Sequence, residues 1–192
     1  MPISFRMLTI AAWFVFLGYW LWSARRVKRA TRAEPALPRL FKYWLPILIA
    51  VLLMWPSAWL QGTVLGHRFM PYADGIALFG LLLVYAGVLF ACWARYILGS
   101  NWSSEVQLKQ DHELIERGPY RYVRHPIYTG VLLALFGNAI MLGEWCGLLG
   151  FAIMFVSFWR KLRLEESWLG EHFGAAYADY MRRVKALIPG VL

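Results

Sequence analysis

The sequence predicts an all-α integral membrane protein. Five transmembrane helices are expected, the last two forming a tight hairpin, with polar segments and a C-terminal helix gathered on one side. Three observations carry that expectation. First, 60% of the 192 residues are hydrophobic and 16% are charged, against about 25% charged in an ordinary soluble domain. So much apolar surface exceeds what one core of this length can hide from water. Second, the apolar residues form long runs. Third, 18 of the 20 Lys and Arg fall in segments that alternating spans place on a single side, the distribution that the positive-inside rule demands of a cytoplasmic face.

The first run, Met7 to Trp22, follows Arg6 and has the look of a signal peptide. It ends in Ser23-Ala24-Arg25-Arg26, without a small-x-small cleavage site and with a basic cluster behind it, so a retained anchor is expected. The second run spans Tyr43 to Gln61. Pro46 near its start is tolerable, whereas Pro56 should kink the span. A polar break follows through Gly66, His67, Arg68, Pro71 and Asp74, and the third run, Ile76 to Leu98, is the cleanest. From Gly99 to Pro126 the chain is polar. Two shorter runs, Ile127 to Leu142 and Trp145 to Trp159, are separated only by Gly143-Glu144. Each falls short of the roughly 20 residues of an upright span, so together they read as a helical hairpin. The tail, Arg160 to Leu192, reads as helical until Pro189-Gly190.

With the N-terminus outside, the inner segments are Ser23–Lys42, Arg95–Arg124 and Arg160–Leu192, and only Arg6 and Arg68 among the basic residues lie outside them. The net charge of +9 is therefore explained by flanks of spans rather than by a nucleic-acid partner. The connector Arg25–Arg39, with Pro35 and Pro38, reads first as a topology signal and second as a site for anionic membrane lipid. The chain divides at residue 98 into a three-helix membrane region, 1–98, and a region of polar segment, hairpin and tail, 99–192.

Several chemistries are excluded. Cys92 and Cys146 lie inside apolar runs and read as small buried hydrophobes; neither metal spacing nor a disulfide framework is present. His112-Glu113 begins an H-E-x-x pattern, but position 116 is Glu, so the second zinc ligand is missing. Asn101-Trp102-Ser103 is a glycosylation sequon on the inner side. There is no P-loop, dinucleotide turn or nucleophile elbow.

What remains lies in two polar segments, His112 to Tyr128 before the fourth span and Glu165-Glu166 after the fifth. Alone, His125 reads as an interfacial histidine bonded to backbone, and Tyr120, Tyr122 and Tyr128 read as interface-belt aromatics. Glu165 and Glu166 read as the acidic start of a tail helix. Together they suit S-adenosylmethionine, which presents an ammonium, a carboxylate, a sulfonium and an adenosine. Glu165 or Glu166 matches the cations, His125 and nearby backbone N–H groups match the carboxylate, and Tyr120 and Tyr128 match the adenine. Pro119 and Pro126 stiffen the connection.

The string Arg117-Gly118-Pro119-Tyr120-Arg121-Tyr122-Val123-Arg124-His125-Pro126-Ile127-Tyr128-Thr129-Gly130 resembles the signature of the isoprenylcysteine carboxyl methyltransferase and phospholipid methyltransferase superfamily. Glu165-Glu166, His172-Phe173-Gly174, Tyr177 and Tyr180 are similar to its C-terminal pattern, and Asn101-Trp102-Ser103 resembles its prokaryotic members. The likeness covers Gly99 to Pro189, about half the chain; residues 1–98 match in hydropathy only. It implies a cytosolic pocket for S-adenosylmethionine beneath the membrane surface of a multi-pass protein, as in a prokaryotic inner membrane. It implies cofactor contacts from His112, Glu113, Leu114 and Ile115, from Tyr120, from His125, Pro126, Ile127 and Tyr128, and from Glu165 and Glu166. It further implies catalytic roles for Glu165, Lys161 and Arg163. Lys161 stands where the family carries an arginine near the acceptor, with Arg160 and Arg163 beside it. Arg117, Arg121 and Arg124 read as topology flanks or phosphate contacts. The implied activity is in-line methyl transfer to a lipophilic or lipidated acceptor arriving from the bilayer, foremost an isoprenylcysteine-like carboxylate. A phospholipid amine or a thiol is the alternative acceptor, and a non-catalytic membrane accessory protein is the alternative class. The spans hold almost no ionisable residues, which argues against a transporter.

Overall fold

The computed structural model describes residues 2–25, 30–33, 37, 40–55, 58–102, 107–109 and 113–192. Its α-helices among the described residues include α1 (Ile3–Ala24), α2 (Leu45–Met54), α3 (Asp74–Leu98), α4 (Pro126–Leu142), α5 (Trp145–Phe173) and α6 (Ala175–Arg183). Three of them, α1, α3 and α5, are long and apolar enough to cross a membrane. The other apolar helical stretches, Leu40–Met54 and Pro126–Leu142, are shorter.

The first and third runs become α1 and α3 as the hydropathy requires. The second does not reach Gln61: α2 ends at Met54, Trp55 turns extended, and Pro56 lies outside the described residues. The expected hairpin is α4 and α5, joined at Gly143, whose φ of 65° makes it a left-handed helix cap. The structure corrects the end of the fifth run. No Pro or Gly interrupts residues 152–169, so α5 continues through the charged stretch as one helix of 29 residues. At 1.5 Å per residue it is about 43 Å long, some 13 Å more than a hydrocarbon core of about 30 Å. Glu165 and Glu166 therefore ride on a rigid extension of an apolar helix. The tail helix also ends earlier than Pro189, at Arg183.

Helices α3 and α4 meet along a seam of glycines. Gly80 faces Gly137 and Gly87 faces Gly130, and a Cβ on Gly87 would stand 2.4 Å from the Gly130 carbonyl oxygen. Absent side chains let the backbones touch, the usual solution where lipid offers no hydrophobic drive between helices. One apolar cluster joins α1, α3 and α4 through Phe16, Val84, Val88 and Ala134. A second joins α2, α4, α5 and the tail through Ala50, Leu132, Met154, Leu162 and Leu187.

Short backbone pairings close each end of the bundle. At one end, Phe69 N–H donates to Gly143 O and Trp145 N–H to His67 O. At the other, Arg124 N–H donates to Lys185 O and His125 N–H to Ala186 O, so the C-terminal segment lies beside the entry to α4. There a two-stranded antiparallel pair that the sequence did not announce, β1 (Ala30–Ala33) with β2 (Gln107–Lys109), ties the connector to the polar segment.

Candidate active site

The site forms where the entry to α4 meets the extension of α5. Gly118–Arg121 makes a single 3-10 turn, and His125, the residue before helical Pro126, takes φ −122° and ψ 59°. Proline at the first helical position forgoes a donor the helix would not use, and it keeps His125 out of the helix. The imidazole is buried, with Nε2 3.2 Å from Glu166 Oε1 and Nδ1 3.8 Å from Glu165 Oε2. Its ring stacks on Tyr128 at 5.5 Å, and Tyr128 donates its hydroxyl to Glu165 Oε2 at 2.8 Å.

The two adjacent glutamates have different surroundings. Glu166 is buried and engaged: Arg124 donates to Oε1 through Nη2 at 2.6 Å and Nε at 2.9 Å. Glu165 is 32% exposed, held by Tyr128 and facing open space. Lys161, one helical turn before Glu165, places Nζ 5.6 Å from the centre of the Tyr43 ring and 5.5 Å from that of Tyr128, within cation–π range. Arg163 points outward with its side chain 65% exposed, touching Glu166 only at 3.8 Å.

That open space is a cavity of about 920 Å³ running between α1, α2, α4 and α5. Tyr120, Arg124, His125, Ile127, Tyr128, Lys161 and Glu165 line one pole, beside Asn101, Trp102 and Trp168. Ile47, Ala50, Val131, Leu135, Met154 and Phe158 make its apolar waist. The structure thus brings together Tyr120, His125, Ile127, Tyr128, Lys161 and Glu165, drawn from two separate polar segments. Glu113, Leu114, Ile115, Pro126, Arg163 and Glu166 are not among the lining residues. Leu114 packs instead on Tyr177, Tyr180 and Val184. His112 lies outside the described residues.

Arg124 is the member that sequence reasoning passed over as a flank. Besides Glu166 it donates through Nη1 to the Val184 and Met181 carbonyls, so one guanidinium joins α5, the tail and the α4 entry. Its place next to His125 inside the signature was the available signal. Tyr180 donates to the Tyr120 carbonyl at 2.6 Å and fixes the 3-10 turn from behind. Burial pushes the Tyr120, Tyr177 and Tyr180 phenols above their ordinary range, so all three are neutral at physiological pH.

A family model described as phospholipid methyltransferase matches residues 76–176, from the start of α3 to the start of α6. The chain belongs to the phospholipid methyltransferase family. Within the family's wider circle it is similar to protein-S-isoprenylcysteine O-methyltransferase B of Arabidopsis thaliana, 29% identical over 119 residues that cover 60% of each chain. The mouse protein-S-isoprenylcysteine O-methyltransferase is 33% identical over 69% of this chain and 49% of its own length. The chain spans about half to three fifths of the length of these relatives. A solved eukaryotic intramembrane Ras methyltransferase, an isoprenylcysteine carboxyl methyltransferase, superposes with a TM-score of 0.59 at 23% identity, over 82% of this chain and 55% of that one. The phospholipid methyltransferase family member described here therefore has the fold of an integral membrane protein of that type.

Proposed function

We propose that the chain transfers a methyl group from S-adenosylmethionine to a lipophilic acceptor lying in the cavity, with the carboxylate of an isoprenylcysteine-like molecule as the acceptor that fits best. One observation carries this reading. A partly exposed carboxylate, a buried imidazole and two tyrosines converge at the polar pole of an otherwise apolar cavity. The names of the curated relatives support the acceptor class.

S-adenosylmethionine supplies a methyl group on a sulfonium, already an activated leaving group. The residues present fit such a molecule. Glu165 lines the cavity, and among the described residues no arginine is bound to it, so it can face the cationic centres. Tyr120 and Tyr128 offer ring faces, and His125 with Ile127 completes the wall. Glu166 acts through its neighbours: clamped by Arg124, it orients His125. On the acceptor side, Lys161 provides a positive charge over the Tyr128 ring, suited to a carboxylate that sits beside it. A carboxylate needs no general base, so the side chains align the partners and keep water out. We further propose five crossings, with α2 and α4 as short spans and this pole on the cytoplasmic face.

Calorimetric titration of the detergent-solubilised protein with S-adenosylmethionine tests the cofactor half. His125→Ala and Glu165→Ala should each weaken binding by about tenfold or more, the worth of one charge-assisted contact. Unchanged affinity in both variants would remove the roles assigned to them. Parallel assays on a prenylcysteine analogue, phosphatidylethanolamine and a simple thiol test the acceptor half. The family model's description favours a phospholipid amine as the second reading, and preferential turnover of phosphatidylethanolamine would establish it.

A further inference from the structure

The cavity has a second polar pole. Beyond the waist its walls end in Arg6, Arg68, Asn138 and Glu144. The surrounding contacts place these residues at one end of the bundle. Thr9, one turn after Arg6, touches Met141, one turn after Asn138, through Oγ1···Sδ at 3.5 Å. The Arg68 guanidinium lies against Gly143, and Arg68 pairs by backbone with Glu144. Asn138 is half-buried on an apolar helix, and its carboxamide makes no hydrogen bond to another described residue.

Charge distribution makes this pole unusual. In the five-span topology proposed above, the other 18 basic residues flank spans on one side, as the positive-inside rule expects. Arg6 and Arg68 are the two that topology does not explain, and both line the same cavity mouth. They are contributed by α1 and by the segment before α3, far apart in sequence. Two guanidiniums and a carboxamide at the rim of an apolar cavity match an anionic headgroup attached to acyl chains.

We infer that this pole binds the phosphodiester of a membrane phospholipid. Arg6 and Arg68 hold the phosphate, Asn138 donates to an ester carbonyl below it, and the chains occupy the waist. Glu144 leaves the pole with one net positive charge among these side chains, enough for one phosphate. Its polar pole is distinct from the methyl-transfer pole, Tyr128 and Leu142 being about 20 Å apart along α4, while the two share the apolar waist. It does not depend on the reading given above, because a lipid here cannot present its headgroup to Glu165.

Native mass spectrometry of the full chain in detergent tests the inference. The probes are palmitoyl-oleoyl-phosphatidylglycerol and the phosphate-free diacylglycerol with the same chains. The wild-type protein should retain one phosphatidylglycerol and not the diacylglycerol. R6Q/R68Q should lose about tenfold or more in retention, each guanidinium–phosphate contact being worth about that factor. R6Q and R68Q alone should each lose part of it, which keeps the test available if the double variant folds poorly. E165A should retain phosphatidylglycerol as the wild type does, and excess inorganic phosphate should not displace it. Equal retention by wild type and R6Q/R68Q would overturn the inference. So would equal retention of the diacylglycerol, or displacement by inorganic phosphate. S-adenosylmethionine affinity, unaltered in R6Q/R68Q, separates failure of this site from failure of the methyl-transfer reading.

Discussion

Arg124 illustrates how one side chain can carry more than its sequence context suggests. Its guanidinium is nearly buried, paired with an equally buried Glu166 and bonded to two tail carbonyls. Removing one member of such a pair strands the other charge, which typically costs 3–5 kcal/mol. R124Q should therefore lower stability by about that much in a denaturant titration, whereas R163Q on the exposed neighbour should shift it by less than about 0.5 kcal/mol. Because both members of the pair vanish together, R124Q/E166Q should lose less than the two single losses added. Equal stability of R124Q and R163Q would remove the clamp. The tyrosines behind it set a pH limit. Burial raises the folded-state values of Tyr120, Tyr177 and Tyr180, so the folded chain keeps protons that the unfolded chain releases near pH 10. Their contribution is fully present below about pH 10 and declines as pH rises further toward the folded-state values. Y180F removes one titrating group and the 2.6 Å bond to Tyr120. It should cost about 1 kcal/mol at neutral pH and give a shallower alkaline decline.

At the scale of elements, the α3–α4 seam decides whether the bundle assembles. Gly87 and Gly130 approach so closely that either Cβ would fall within 2.7 Å of the opposing backbone. G87L should separate the helices and reduce the yield of monodisperse protein on size exclusion. G18L, on α1 with open space around it, should not. Hydropathy could locate α1, α3, α4 and α5 because long apolar runs have few other uses. It could not locate the seam, since glycines seven residues apart leave no mark on a hydropathy profile. Of the three misplaced ends, two have definable reasons. Charge was read as the end of α5, but Arg160–Glu166 contains good helix formers, and a helix leaving a membrane need not stop at its surface. The second run was read through Pro56, but α2 unwinds at Trp55, before that proline. The site was legible to the extent that its residues sit in the signature: Tyr120, His125, Tyr128 and Glu165 converge. Which of two adjacent glutamates faces the cavity was not legible, because helix phase relative to a distant Arg124 is a tertiary fact.

At the scale of the molecule, the cavity joins two polar poles across an apolar waist, so the orientation of every helix becomes a functional quantity. Backbone contacts fix which segments share an end. His125 and Lys185–Ala186 lie together with the Glu165–Glu166 extension, while His67–Phe69 and Gly143–Trp145 lie at the opposite end. If α3 and α5 cross the bilayer, as their length and composition allow, these two ends face different compartments. Cysteine labelling in a C92A/C146A background tests this in intact cells. Y122C and E171C, both on exposed positions, should react with a membrane-impermeant maleimide only after the cells are opened. V64C, 75% exposed at the other end, should react before. Opposite behaviour of Y122C and E171C would be decisive, because it would place His125 and Glu165 across the membrane from each other. A pocket built from both polar segments requires that they share one aqueous face, and so does any chemistry assigned to it.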